Sequence, residues 1–177
     1  TTIPIPFTSL SYAKGITDSL TVFGGTQLTN LAYQNLHLAL GAAYGILKPN
    51  GWIPGVSLSA TLNFLSDFRQ FNARLYPQLD ANVYWNYGTD HLMYVGTTNW
   101  VELNNTRAHN ETQEKRLLSG IQFGNTFSTK KWMYTIDSKW LAPSRNTNDL
   151  TINYKTYSFG GEPKGAVGLY FGITRKF

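Results

Sequence analysis

What most restricts the fold of this chain is apolar alternation at every second position, sustained over long segments. In LHLALGAAYGI (36–46), Leu36, Leu38, Leu40, Tyr44 and Ile46, with Ala42 among them, share one face of an extended chain. His37, Ala39, Gly41, Ala43 and Gly45 share the other. A sheet with one face on a core and one in water carries Lys, Glu, Thr or Ser on the wet face. Here that face is mostly Gly and Ala.

The same rule runs through most of the chain. After the turn KPNG (48–51), residues 52–65 set Trp52, Val56, Leu58, Ala60, Leu62 and Phe64 against Ser57, Ser59, Thr61 and Asn63. Residues 74–87 set Leu75, Pro77, Leu79, Ala81, Val83, Trp85 and Tyr87 against Arg74, Tyr76, Gln78, Asp80, Asn82, Tyr84 and Asn86. In 91–103, Met93, Val95, Thr97, Val101 and Leu103 oppose Tyr94, Gly96, Thr98, Trp100 and Glu102. In 115–128, Leu117, Ile121, Phe123 and Phe127 oppose Arg116, Gly120, Gln122, Gly124 and Thr126. Then Trp132, Tyr134, Ile136 and Trp140 oppose Lys131, Thr135, Asp137 and Lys139. Finally Val167, Leu169, Phe171, Ile173 and Phe177 oppose Ala166, Gly168, Tyr170, Gly172, Thr174 and Lys176. No 3.6-residue period is sustained, so the fold class is all-β. Such segments approach or exceed the roughly 9–11 tilted residues that cross a bilayer, against about 5–6 for a globular strand.

Charged residues make up 14% of the chain and aromatics 15%, so a soluble surface is thinly supplied and the apolar faces need another destination. The absence of cysteine closes off disulfides and thiolate metal sites. The acidic residues and histidines lack ligand spacing, so neither a metal nor a cofactor is expected. No apolar run reaches the roughly 18 residues of a membrane-spanning helix, and the start TTIPIPFTSL lacks the basic and apolar regions of a secretory leader. A single domain over 1–177 is expected, with NNTRAHNETQEK (104–115) a loop inside it. The net charge is +5, but the fifteen Lys and Arg are scattered as singles and pairs, which argues against a nucleic-acid partner.

Connections alternate in length. KGITD (14–18), KPNG (48–51), YGTD (87–90) and TKK (129–131) are turn-like, whereas SDFRQFNA (66–73), NNTRAHNETQE (104–114) and the region after Pro143 are longer and polar. Short turns at one end and long loops at the other are the construction of an antiparallel up-and-down transmembrane β-barrel. A barrel of that kind gathers Trp and Tyr at the two interfaces. Tyr44, Trp52, Trp85, Tyr87, Phe127 and Trp132 fall on the outward face near the short turns, with Tyr33, Phe64 and Trp140 near the other end. They form the expected aromatic girdle.

The turn SYAKGITDSL (11–20) resembles the Tyr-x-x-Gly-Leu-Thr-Asp hairpin turn of bacterial outer-membrane β-barrel proteins, and YFGITRKF (170–177) resembles their C-terminal strand with its terminal aromatic. The resemblance covers most of the chain in architecture, and its motifs specify assembly rather than activity. It implies a Gram-negative outer-membrane location with the short turns in the periplasm. It also implies that Tyr170, Phe171, Ile173 and Phe177 form a signal for the barrel-insertion machinery. Arg175 departs from a purely apolar outward face, at a depth where it can snorkel. Nine strands are visible, at roughly 3–12, 19–27, 32–47, 52–65, 74–87, 91–103, 115–128, 131–142 and 164–177, yet such barrels normally have an even count. Ten are therefore expected, with eight as the alternative; either one strand precedes Thr1 or LTINYKTYSF (150–159) is the tenth.

The inward face collects Arg74, Asp80, Glu102, Arg116, Asp137 and Lys139, three charges of each sign. In a narrow lumen these are expected to pair as a network that fills it. Gly and Ala on that face leave room for charged side chains from neighbouring strands. The function implied is an integral outer-membrane barrel with a structural or accessory role, with membership of a larger complex as an option. The alternative is a narrow channel or ligand-binding barrel for small solutes, lined by the same charges. A lipid-modifying enzyme is less favoured. Of His37, His91 and His109, the one arrangement worth naming is His109 near Glu111 and Ser119, so enzyme activity stays open and leans towards absent. The expected partners are outer-membrane lipid, lipopolysaccharide phosphates facing Arg69, Arg107 and Arg145, the insertion machinery and other outer-membrane subunits.

Overall fold

A computed structural model describes residues 8–32, 34–68, 73–101, 103, 117–146 and 164–176. Its nine strands are β1 (Ser9–Gly15), β2 (Leu20–Gln27), β3 (Asn35–Leu47), β4 (Gly55–Asp67), β5 (Ala73–Tyr87), β6 (His91–Val101), β7 (Leu117–Ser128), β8 (Trp132–Asn146) and β9 (Lys164–Arg175). They form one antiparallel sheet in chain order from β1 to β9. From β3 onward the strands run 11 to 15 residues. The nine segments legible from alternation are these nine strands, with ends displaced by a few residues.

Nine strands occur among the described residues, and a closed barrel of ten, or of the alternative eight, is not shown by them. β8 pairs directly with β9, in register from Trp132↔Arg175 to Leu141↔Ala166. A tenth strand is expected either ahead of Thr1 or at residues 150–159. That segment lies outside the described residues.

Three local features depart from the sequence reading. A five-residue helix, α1 (Leu28–Ala32), follows β2, so Ala32 is helical rather than the start of a strand. It is tied to the entry of β1: the Thr8 amide donates to Thr29 Oγ1 at 2.7 Å, and the Leu28 amide donates to the Thr8 carbonyl at 2.7 Å. Trp52 sits in the β3–β4 turn, closed by the Asn50–Ile53 bridge, and is 96% exposed; strand β4 begins only at Gly55. Strand β8 continues beyond Pro143 to Asn146 because the ladder with β9 shifts register between Leu141 and Asn146. A proline is tolerated at such an irregularity, where no ladder donor is needed. Ala142 takes a positive φ of 47° there, opposite Gly165 at 69°.

Burial is inverted relative to a soluble domain. Among the described residues the buried apolar ones are Ala142 and Ala166, both small, whereas Thr29, His37, Asn63, Thr98, Gln122 and Thr126 are buried polar residues. Large apolar residues are exposed at every second position: Leu38, Leu40, Tyr44 and Ile46 on β3; Ile121, Phe123 and Phe127 on β7; Val167, Leu169, Phe171 and Ile173 on β9. Leu40 is 71% exposed and Phe171 74%. In water a sheet buries its apolar face and leaves the polar one wet. These strands do the opposite.

The chain divides into two compact units that share strands. Thr1–Tyr44, Ser59–Leu79 and Trp100–Leu117 make the first; Gly45–Leu58, Asp80–Asn99 and Leu118–Phe177 make the second.

Candidate functional site

The polar face of the second unit holds the densest group of ionisable and hydroxyl side chains among the described residues. Its geometry follows from glycines. Strand neighbours are about 4.8 Å apart, so a side chain that reaches two strands away must lie flat across the strand between, which has to be bare at that point. The Tyr84 ring of β5 lies over Gly55 of β4, 2.3 to 2.7 Å from where a Cβ would sit, and its hydroxyl reaches the Leu47 carbonyl of β3 at 3.3 Å. Asn82 of β5 covers Gly96 of β6 and accepts a 2.7 Å hydrogen bond from Gln122 Nε2 of β7. Tyr94 of β6 covers Gly124 of β7, and its hydroxyl is hydrogen-bonded to Asp137 of β8. Three side chains thus cross three glycines on this face.

Asp137 is the hub. Its register partners are Gly124 on β7 and Tyr170 on β9. Lys139 lies 3.8 Å from its Oδ2 and 5.7 Å from the centroid of the Tyr170 ring. The register partner of Lys139 on β9 is Gly168, over which the Tyr170 ring lies. Asp80 is close enough for its charge to act on both Tyr94 and Asp137. The second carboxylate oxygen, Oδ1, is buried and has no hydrogen-bond partner. Thr126 and Thr135, also register partners, join hydroxyls at 3.1 Å nearby on the same ladder.

Of the six charges anticipated on the inward face, Asp80, Asp137 and Lys139 come together here. Arg74 lies on β5 in the first unit, and Glu102 and Arg116 fall outside the described residues. The side chains over the glycines are tyrosines and an asparagine rather than charged groups. Sequence reasoning passed over Tyr94 and Gln122 as ordinary inward residues. The signal was present as a glycine on the neighbouring strand opposite each long polar side chain, but it becomes readable only when the register is known.

The first unit has its own polar group. His37, buried on β3, meets Asn63 Oδ1 of β4 through Nε2 at 3.2 Å, and Asn63 Nδ2 donates to the Tyr76 carbonyl and to Gln78 Oε1 on β5. Both Asn63 amide hydrogens are committed, so Oδ1 is the acceptor and His37 carries its proton on Nε2. His37 Nδ1 is then an acceptor, buried without a partner. Thr26 Oγ1 donates to the His37 carbonyl at 2.6 Å.

On the opposite face, the expected girdle residues have varied surroundings. Tyr44, Phe127, Trp132 and Trp140 are exposed, and Trp85 and Tyr87 are half-buried. The His91 ring packs between Tyr87 and Phe127, with centroids 5.4 and 5.2 Å away, while the Tyr87 hydroxyl donates to Asn125 Oδ1 at 2.7 Å. Trp140 Nε1 donates to the Lys164 carbonyl at 3.1 Å across the β8–β9 irregularity. Within the anticipated assembly signal, Phe171 and Ile173 are exposed, Tyr170 faces Lys139, and Phe177 lies outside the described residues.

A nucleophile–base pair is not assembled among the described residues. Ser119 donates to Asn99 Oδ1 at 2.8 Å, and His109 and Glu111 lie outside those residues. No group of three or more metal-ligating side chains occurs among the described residues. No protein-family model, no curated protein and no solved structure matches this chain.

Proposed function

We propose that the chain is an integral β-barrel of the Gram-negative outer membrane, a single domain over 1–177 whose interior is filled by its own side chains, with a structural or accessory role. One observation carries this reading. Residues that a soluble protein buries are exposed in alternate positions along strands 11 to 15 residues long, and residues that it exposes are buried between them. Hydrocarbon is the solvent that stabilises such a face. The turn KGITD and the end YFGITRKF support the outer membrane in particular, through their likeness to the turns and terminal strand of its barrels.

In this reading the nine strands are joined by a tenth to close the circle, which satisfies every edge donor and acceptor in lipid. The crossings of Tyr84, Asn82 and Tyr94 favour a filled interior over an open channel, since each lays a side chain across the polar face. Outer-membrane lipid is the immediate partner. The insertion machinery and other outer-membrane subunits are further ones, and of Arg69, Arg107 and Arg145, the arginines expected to meet lipopolysaccharide phosphate, Arg145 lies on β8 towards its long-loop end.

Flotation tests the reading. Refolded in the presence of phosphatidylcholine vesicles, the protein is expected to float with them and to resist carbonate extraction, and to give no steady open steps in planar bilayers. Recovery as a monodisperse soluble protein without lipid or detergent would contradict membrane residence. Steady conductance would replace the filled interior with a channel.

A further inference from the structure

Arg175 interrupts an otherwise apolar outward row on β9, and the structural reason lies at the adjacent turn. The β7–β8 turn is fixed by its own hydrogen bonds: the Thr129 amide donates to the Trp132 carbonyl at 2.7 Å, and the Trp132 amide donates to Thr129 Oγ1 at 3.1 Å. This holds Lys130 and Lys131 at an exposed tip. The end of β9 is stitched to the same turn. The Lys176 amide donates to the Lys131 carbonyl at 2.8 Å, Lys176 Nζ donates to the Thr129 carbonyl at 3.0 Å, and Arg175 is the register partner of Trp132.

Four cationic side chains from two segments far apart in sequence therefore share one corner. Among the described residues, Lys130, Lys131 and Lys176 form no ion pair with a carboxylate. On the turn before β6, the Asp90 carbonyl accepts the Ser128 amide at 2.8 Å. Three lysines held together without a carboxylate partner among the described residues repel one another, and an anionic ligand at the corner relieves that repulsion. The apolar exposed row begins at once beyond it, with Trp132, Tyr134, Phe171 and Ile173. An exposed indole marks headgroup depth, and Lys131 and Lys176 sit one residue beyond it with Lys130 next, at the level of lipid phosphates.

We propose that this corner binds the phosphate headgroup of an anionic phospholipid, held by Lys130, Lys131 and Lys176 of the two segments that meet there. The inference rests on the membrane reading above. Each ammonium contributes a point charge and rotatable donors to the phosphate oxygens. The acyl chains lie along the exposed row of β8 and β9.

The full chain, refolded in mild detergent so that cellular assembly does not enter, is titrated with phosphatidylglycerol and with phosphatidylcholine, and retained lipid is counted by native mass spectrometry. Preferential retention of phosphatidylglycerol is expected, weakening as salt rises. The Lys130→Gln/Lys131→Gln/Lys176→Gln variant is expected to weaken it roughly tenfold or more, from the contribution of each basic residue near an anionic surface. Replacement of the same lysines by arginine should preserve it, as should Lys14→Gln in the β1–β2 turn. Equal retention of the two lipids, or unchanged preference in the triple Gln variant, overturns the proposal. So does loss of a co-purifying acidic polypeptide in the variant with lipid retention intact, which would assign the corner to a protein. Failure of the wild-type chain to float with phosphatidylcholine vesicles would instead strike the membrane reading itself.

Discussion

Leu40→Arg is expected to lower the unfolding free energy of the vesicle-reconstituted protein by about 2–4 kcal/mol, read from urea titration followed by tryptophan fluorescence. Leu40 stands near the middle of the thirteen-residue β3, on the exposed row. A guanidinium at that depth must be dragged through hydrocarbon or leave the strand distorted. Ile46→Arg, on the same row beside the β3–β4 turn, should cost only about 0–1 kcal/mol, because near the interface the side chain can reach water. On a soluble sheet neither change would matter much: surface substitutions away from special features stay within about 0.5 kcal/mol, and replacing an exposed leucine by arginine improves solubility. The gradient between the two positions separates the alternatives more sharply than either value alone.

Gly124→Val should be the most damaging change on the polar face. The new Cβ would lie 2.5 Å from the ring and hydroxyl oxygen of Tyr94, so the ring has to leave. With it goes the hydrogen bond to Asp137, whose other oxygen already lacks a partner. Overpacking costs roughly 1–3 kcal/mol, and losing a hydrogen bond to a charged group roughly 1.5–3 kcal/mol, so a total of about 3 kcal/mol or more is expected in the same titration. The physical cause can be isolated by a double-mutant cycle. Tyr94→Ala alone should destabilise, yet adding Gly124→Val to it should cost far less than in the parent, because the space is then free. Additive losses would mean that valine harms the strand for a reason other than the crossing tyrosine.

Much of the fold was legible because long alternating strands carry their signal in one dimension. Alternation in 36–46 required only the two-residue period, and β3, β7 and β9 have their exposed rows at the positions that period assigns. Trp52 failed for the same reason: a regular period was extended backwards into a turn, where the Asn50–Ile53 bridge holds the chain instead. Strand β8 was cut short at Pro143 because the bulge that accommodates a proline depends on Gly165, more than twenty residues later.

The interior was less legible, and the obstacle was register. Opposite charges on the inward face suggested ion pairs, and Lys139 does approach Asp137 from two residues away on the same strand. The longer reaches are made by neutral groups. Which glycine lies beneath Tyr94 is decided by how β6 and β7 slide against each other, and a shift of two residues would put another side chain there. The basic corner was hidden in the same way. TKK and TRKF looked like two scattered pairs until the backbone of Lys176 was found bonded to that of Lys131.

The inverted sheet is tested most directly by lipid contact, residue by residue. The chain contains no cysteine, so single cysteines can be introduced at positions 57 to 62 on β4 and each labelled with a fluorophore. In vesicles of brominated phosphatidylcholine, quenching should be strong from Leu58, Ala60 and Leu62 and weak from Ser57, Ser59 and Thr61. Uniform quenching along the strand, or stronger quenching from the serine and threonine positions, would contradict an apolar face turned to lipid.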